Sequence, residues 1–264
     1  MAQITPKGVD GYPGGRDKYV DDILDIIKVI LGNQVGWIVL TAILQTPKQL
    51  TIKPESERPD HKSGAATFPM DSAGKPDYAH ASPRGLSRTG TGRGKWYAGG
   101  NDDDDHFDDP APASWGDAVG GGSDDSIFFT PGHGGDDKSC ARGSGTCASM
   151  DDEVLLHEMV HALRDMQGAS NRVPTTFRYK DEEEFLAVTV ANVYISKKKG
   201  NKLLRPDYRK VGPLLPPFNT SDGFLRDDEN RSILEYYAKV WQPVFGQLGD
   251  VETAFNPFRP LKTP

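Results

Sequence analysis

Between Arg16 and Leu31 the apolar residues Val20, Ile23, Leu24, Ile27, Ile30 and Leu31 recur at three- and four-residue intervals. That spacing predicts an amphipathic helix, ended near Gly32. The next apolar run, "GWIVLTAIL", is read as a buried helix, and "QLTIKP" as a short strand. From Glu55 to Gly122 the pattern dissolves into Gly, Pro, Ser and Asp, with "SGAATFPM", "RGKWYAGG" and "PASWGDAV" as islands that could each hold a short strand. Periodicity returns in "DDSIFFTPG", a strand over Ser126 to Thr130 stopped by Pro131 and Gly132. "SMDDEVLLHEMVHALRDMQG" then has the marks of a helix: Ser149 and Asp152 in capping-box spacing, acids in the first turn, Gly168 beyond the last. A helix from about Asp181 to Lys198, "DEEEFLAVTVANVYISKKK", is apolar nearly all round and so is read as buried. The last helical pattern, "DDENRSILEYYAKVWQPVFGQL", is broken at Pro243.

Composition narrows this picture without changing it. At 264 residues, 36% hydrophobic and 26% charged, the chain is read as a single domain over 1–264: N-terminal helices and strand over 16–54, a Gly/Asp/Pro-rich middle over 55–147, and a mostly helical part over 149–264. A net charge of -7 argues against nucleic acid or an anionic membrane surface as the main partner. The apolar stretch Ile23 to Leu44 is interrupted by Asp25, Lys28, Asn33 and Gln34, so no membrane insertion is expected. The first residues lack the basic and apolar regions of a Sec signal; the expectation is a cytoplasmic protein or export by a leaderless route. Cys140 and Cys147 flank a glycine-containing loop that can close a disulfide or carry two thiols. The run "NDDDDHFDD" lacks the ligand spacing of a calcium loop and is read as a solvated acidic loop, with His106 a bystander.

The candidate chemistry lies in "HEMVH". Residues four apart project from one helix face, so His157 and His161 can aim ring nitrogens at one ion. Glu158 sits about 100° round the helix, where a general base must be to take a proton from a water that such an ion acidifies. A catalytic zinc needs a third protein ligand and an open position. No histidine follows in "ALRDMQGASNR", which excludes a metzincin; a glutamate on a later helix is the alternative, and Glu182, Glu183 and Glu184 qualify by position. Glu184 is preferred because Ala187 and Val188, three and four residues on, give its face a close, dry approach to the histidine helix. Glu183 shares much of that face and stands second. Asp165 and Asn192 are candidates to orient the imidazoles, and His133 is read as a loop residue.

"HEMVH" followed by "EEEFLAV" resembles the gluzincin zinc metallopeptidases. More narrowly, the order of apolar helices, short strand, Gly/Asp-rich middle, "SDDSIFFTPG" and histidine helix is similar to the NleD-like effector metalloproteases that bacteria inject into host cells, over about residues 16 to 200. The resemblance implies Zn2+ held by His157, His161 and Glu184, with Glu158 as base. It also implies a Tyr or His donor to the oxyanion of the tetrahedral intermediate, for which Tyr179 is the first candidate and Tyr208 the second. In such enzymes an edge strand beside the histidine helix pairs with the extended substrate; Ser126 to Thr130 is assigned that role.

These readings converge on an α+β, zincin-like domain with a small twisted sheet and a histidine helix beneath it. The expected activity is zinc-dependent hydrolysis of a peptide bond in a protein or peptide substrate, in an effector or toxin setting. Hydrolysis of a cell-wall or other amide, and a binding module without turnover, remain as the other two readings.

Overall fold

The computed structural model describes residues 3–60, 65–76, 121–132, 151–175, 179–206 and 213–262. The acidic run with His106, the islands "RGKWYAGG" and "PASWGDAV", His133, the Cys140–Cys147 pair, Ser149 and Tyr208 lie outside them.

Strand β1 (Gln3–Pro6) leads into helix α1 (Gly15–Leu31), whose stripe of Tyr19, Ile23 and Ile30 is fully buried. The chain turns by 115° into α2 (Gln34–Gln45). Asn33 caps α2 by accepting from the Val35 amide at 2.9 Å, and Gly36 lets the two helices touch, since a Cβ there would stand 2.1 Å from the Ile30 carbonyl oxygen. Strand β2 (Gln49–Lys53) then returns parallel to β1, with Ile4 beside Leu50. No single helix among the described residues is long and apolar enough to cross a membrane.

Strands β3 (Ala66–Met70) and β4 (Asp124–Phe128) complete a four-stranded mixed sheet in the order β1-β2-β4-β3. β4 runs parallel to β2 and antiparallel to β3, so it lies in the interior. The strand expected over Ser126 to Thr130 therefore exists two residues earlier and is not an edge. Its substrate-pairing role is withdrawn, because both of its backbone edges already serve β2 and β3. The pleat turns Leu50, Ile52 and Ile127 toward the helices, while Phe68, Met70 and Phe128 form a small cluster on the opposite face.

Helix α3 (Asp151–Met166) packs on the helical face of the sheet and antiparallel to α4 (Glu182–Lys199). Charge pairs fasten this couple at both ends. Asp152, at the start of α3, accepts from Lys198 Nζ at 2.6 Å and from Tyr194, near the end of α4. At the other end the buried Arg164 guanidinium meets Glu183 at 3.1 Å. The acids that lead each helix thus bind the cations that trail the other, Lys198 on α4 and Arg164 on α3, besides complementing the helix dipoles. Short helix α5 (Ser221–Phe224), then α6 (Asp228–Val240) and α7 (Val244–Gly249), interrupted at Pro243 as expected, close the core from the C-terminal side. The fold is mixed α and β with a helical C-terminal half.

Candidate metal centre

Three atoms from two helices converge beside the sheet. The Nε2 atoms of His157 and His161 are 3.1 Å apart, and Glu184 Oε2 lies 3.2 Å from the first and 3.6 Å from the second. Ligands about 2.0–2.1 Å from a tetrahedral zinc ion stand about 3.3 Å from one another, so the triangle has the size that ion requires. Its chemistry fits as well: two imidazoles and one carboxylate are a zinc donor set. Glu184 Oε2 is buried and makes no hydrogen bond of acceptable geometry, although both rings are close. Orphaned buried acceptors are rare without a cause. Among the described residues this is the one group of three or more His, Cys, Asp or Glu side chains whose donor atoms gather within 4.8 Å.

Local folding explains why Glu184 and not its neighbours joins the histidines. Asp181 caps α4 by accepting from the Glu184 amide at 2.9 Å, which starts the helix at Glu182 and fixes the direction of each successive side chain. Consecutive residues then point about 100° apart. Glu182 takes the Asn171 side-chain amide at 2.9 Å, Glu183 takes Arg164 at 3.1–3.2 Å and the Asn171 backbone amide, and Glu184 faces the imidazoles. The alternative ligand, Glu183, is the partner of a buried arginine instead.

The site favours a cation. Burial opposes a charge on His161, yet Glu184, with Glu158 and Glu183 behind it, outweighs burial and raises that ring to about 10. Burial also opposes the Glu184 carboxylate, but His161 and His157 hold it well below the ordinary range. His157, deeper and beside His161, is shifted down chiefly by burial.

Glu158 is nearly buried and lies next to this triad. Thr67, on the edge strand β3, donates from Oγ1 to Glu158 Oε2 at 2.7 Å, with the Glu158 carbonyl oxygen 3.1 Å away. The strand register makes this contact possible: Thr67 pairs with Ile127 and so shares its helix-facing side of the sheet. A cavity of about 140 Å3 opens over Glu158, His161 and Glu184, between β3 on one side and the segment carrying Arg172, Lys180 and Asp181 on the other.

Two of the other expected participants, Tyr179 and Asn192, pack against other groups. Tyr179 packs edge-on to Phe185 at 5.0 Å within the aromatic core and is not on the cavity wall, so its role as oxyanion donor gains no geometric support. Apolar packing of its ring has won over reach toward the site. Asn192 clasps the Arg205 backbone, donating at 2.8 Å and accepting at 2.7 Å, instead of orienting an imidazole. Asp165 lies beside Asp125 and also interacts electrostatically with His161; burial, followed by the effect of Asp165, pushes Asp125 far up, and burial raises Asp165 to about 6. His157 Nδ1 has no hydrogen-bond partner among the described residues. Thr67, Arg172 and Lys180 were not singled out by sequence reasoning. Only the alternation in "ATFPM" pointed to Thr67, and nothing local placed the two cations. Comparison of the chain with protein-family models, with curated proteins and with solved structures finds no match.

Proposed function

We propose that the chain is a zinc metallopeptidase of the gluzincin kind, hydrolysing peptide bonds in a protein substrate. The observation that carries this reading is the 3.1–3.6 Å triangle of His157, His161 and Glu184 donor atoms, with the Glu158 carboxylate beside it. A site built only to bind structural zinc has no use for a fourth, non-ligating acid at that position. Zinc held there supplies Lewis-acid polarisation of a carbonyl and lowers the pKa of water. Glu158 is the group that accepts the proton of the attacking water and returns it to the leaving amine. The edge strand β3, whose Ala66 and Thr67 border the cavity, takes the substrate-pairing role first assigned to β4. A mixed sheet with an antiparallel edge strand over a histidine helix supports a zincin-like fold, and the resemblance to injected effector proteases supports an effector or toxin setting.

Two measurements on purified protein test this. Zinc content, by elemental analysis after dialysis, is expected near one ion per chain for the parent and Glu158→Gln, and near zero for His157→Ala. A proteome-wide cleavage screen is expected to give zinc-dependent products with the parent and none with Glu158→Gln. Parent protein without zinc, or Glu158→Gln with parental cleavage, overturns the proposal.

A further inference from the structure

Helix α4 is buried nearly all round: Phe185, Leu186, Val188, Val190 and Val193 have no exposed surface. Apolar packing is non-directional, so such a helix gains little from one rotation about its axis over another. Buried polar contacts supply the choice, as a lone buried amide does for the register of a coiled coil. The rotation matters to the metal site. A turn of about 20° carries a Cα on a cylinder of about 2.3 Å radius by about 0.8 Å, whereas metal–ligand distances tolerate about 0.2 Å. Glu184 Oε2 accepts no hydrogen bond of good geometry that would hold it in place, so its aim is set by the helix that carries it.

The Asp181 cap belongs to α4 and turns with it, so it cannot set the rotation. Contacts from the connection between α3 and α4 can. Asn171, buried in that connection, reaches two of the three glutamates: its backbone amide donates to Glu183 Oε1 at 2.5 Å and its side-chain amide to Glu182 Oε2 at 2.9 Å. Its own Oδ1 accepts from the Val173 amide at 3.3 Å, which orients the side chain. Glu183 also meets Arg164, whose guanidinium donates to the Ala169 carbonyl and lies over the rings of Tyr237 and Trp241 at 4.9 and 5.4 Å. The grip on the first turn of α4 is therefore anchored in α3 and in the C-terminal part of the chain. Glu182 and Glu183 point about 100° apart, so holding both fixes the rotation, and Glu184 is carried one such step further.

We infer that Asn171 is a positioning residue for the metal: by holding Glu182, its side chain sets the rotation of α4 that aims Glu184 at His157 and His161. Asn171 is not on the wall of the cavity, so it acts through Glu184. This rests on the reading of the triad as a metal site. Glu182 has further contacts besides Asn171, so loss of the Asn171 side chain is expected to cost about tenfold in zinc affinity, the lower end of what removal of a supporting contact does.

The test is zinc affinity, measured on the full chain by competition with a chelator, beside the melting temperature of the metal-free protein. Asn171→Ala and Glu182→Ala are each expected to bind zinc about tenfold more weakly than the parent, and the double variant no more weakly than either. Glu182→Gln, which keeps an acceptor oxygen for the Asn171 amide, is expected to bind nearly as tightly as the parent. Asn256→Ala is the control for stability alone. Asn256 donates to the Leu248 and Val251 carbonyls at 2.8 and 2.9 Å, so its loss is expected to lower the melting temperature and leave zinc affinity at the parental value. Parental affinity in Asn171→Ala, single losses that multiply in the double variant, Glu182→Gln as weak as Glu182→Ala, or an equal loss in Asn256→Ala overturns the inference and leaves the metal site standing. If Asn171→Ala does not fold, the comparison of Glu182→Ala with Glu182→Gln decides, and equal affinity of those two overturns the inference. Failure of the parent to take up zinc overturns both readings.

Discussion

Thr67 and Glu158 are 91 positions apart, yet the hydroxyl lies 2.7 Å from the carboxylate oxygen. A hydroxyl has one hydrogen to give, and a carboxylate is the stronger acceptor, so the contact to Oε2 dominates the longer one to the backbone. It fixes one oxygen of Glu158, the proposed base, and leaves the other for the proton that role would move. Thr67→Val is expected to lower kcat by about tenfold with KM nearly unchanged, as for a positioning contact. Thr67→Ser is expected to restore most of the rate, and both variants to keep parental zinc content. At this scale the legible residues were those whose relation is local: His157, Glu158 and His161 are fixed by helical spacing alone, and Glu184 by its place in the first turn of the next helix. Thr67 was hidden because its partner comes from a strand far away in sequence. The packing of Tyr179 on Phe185 was equally hidden, because position near the site in sequence does not say which way a ring turns.

The three glutamates that open α4 show how one element distributes its residues among unlike tasks. Glu183 and Arg164 are both almost fully buried, and losing one partner of such a pair leaves a charge without compensation. Glu183→Gln is therefore expected to lower unfolding stability by about 3 kcal/mol while zinc still binds at parental stoichiometry. Glu184→Gln is expected to lower zinc affinity by orders of magnitude, and also to destabilise the metal-free protein, since His161 loses the carboxylate that favours its charge. Denaturant titration beside zinc competition with a chelator separates the two. The long helices were readable because their apolar periodicity spans several turns. β1 was missed because four residues, "QITP", hold too little alternation to register, and its existence depends on β2 as a neighbour. The order of the strands was equally hidden, since periodicity shows which face is buried but not which strand lies beside which.

Stability of the whole molecule is linked to the acid pair Asp125 and Asp165. Burial raises Asp165 from an ordinary 3.8 to about 6 and pushes Asp125 further up, so between those values the folded chain holds protons that the unfolded chain has released. Stability contributed by this proton uptake is present in acid and is lost as pH rises from about 4 to about 6. Asp165→Asn removes one titrating member, so its melting temperature is expected to gain on the parent's across that window. A constant difference between the two at pH 4 and pH 6.5 would contradict this. That the fold mixes α and β, with a helical C-terminal half, was legible from composition and periodicity. The strand–helix contact that buries two acids together was not, because each lies in an element that looks ordinary alone.

The interior place of β4 bears on the order in which a growing chain can become functional. Among the described strands, β3 has β4 as its only neighbour, although more than fifty residues separate the end of one from the start of the other. As the chain emerges from the ribosome, β1, α1, α2 and β2 can assemble early, but β3 must wait for β4, its neighbour in the sheet. The β3 wall of the proposed cleft is thereby set in place only after β4 has been made, and Glu184, the proposed third ligand, follows later still, so the three candidate donor atoms can meet only once α4 exists.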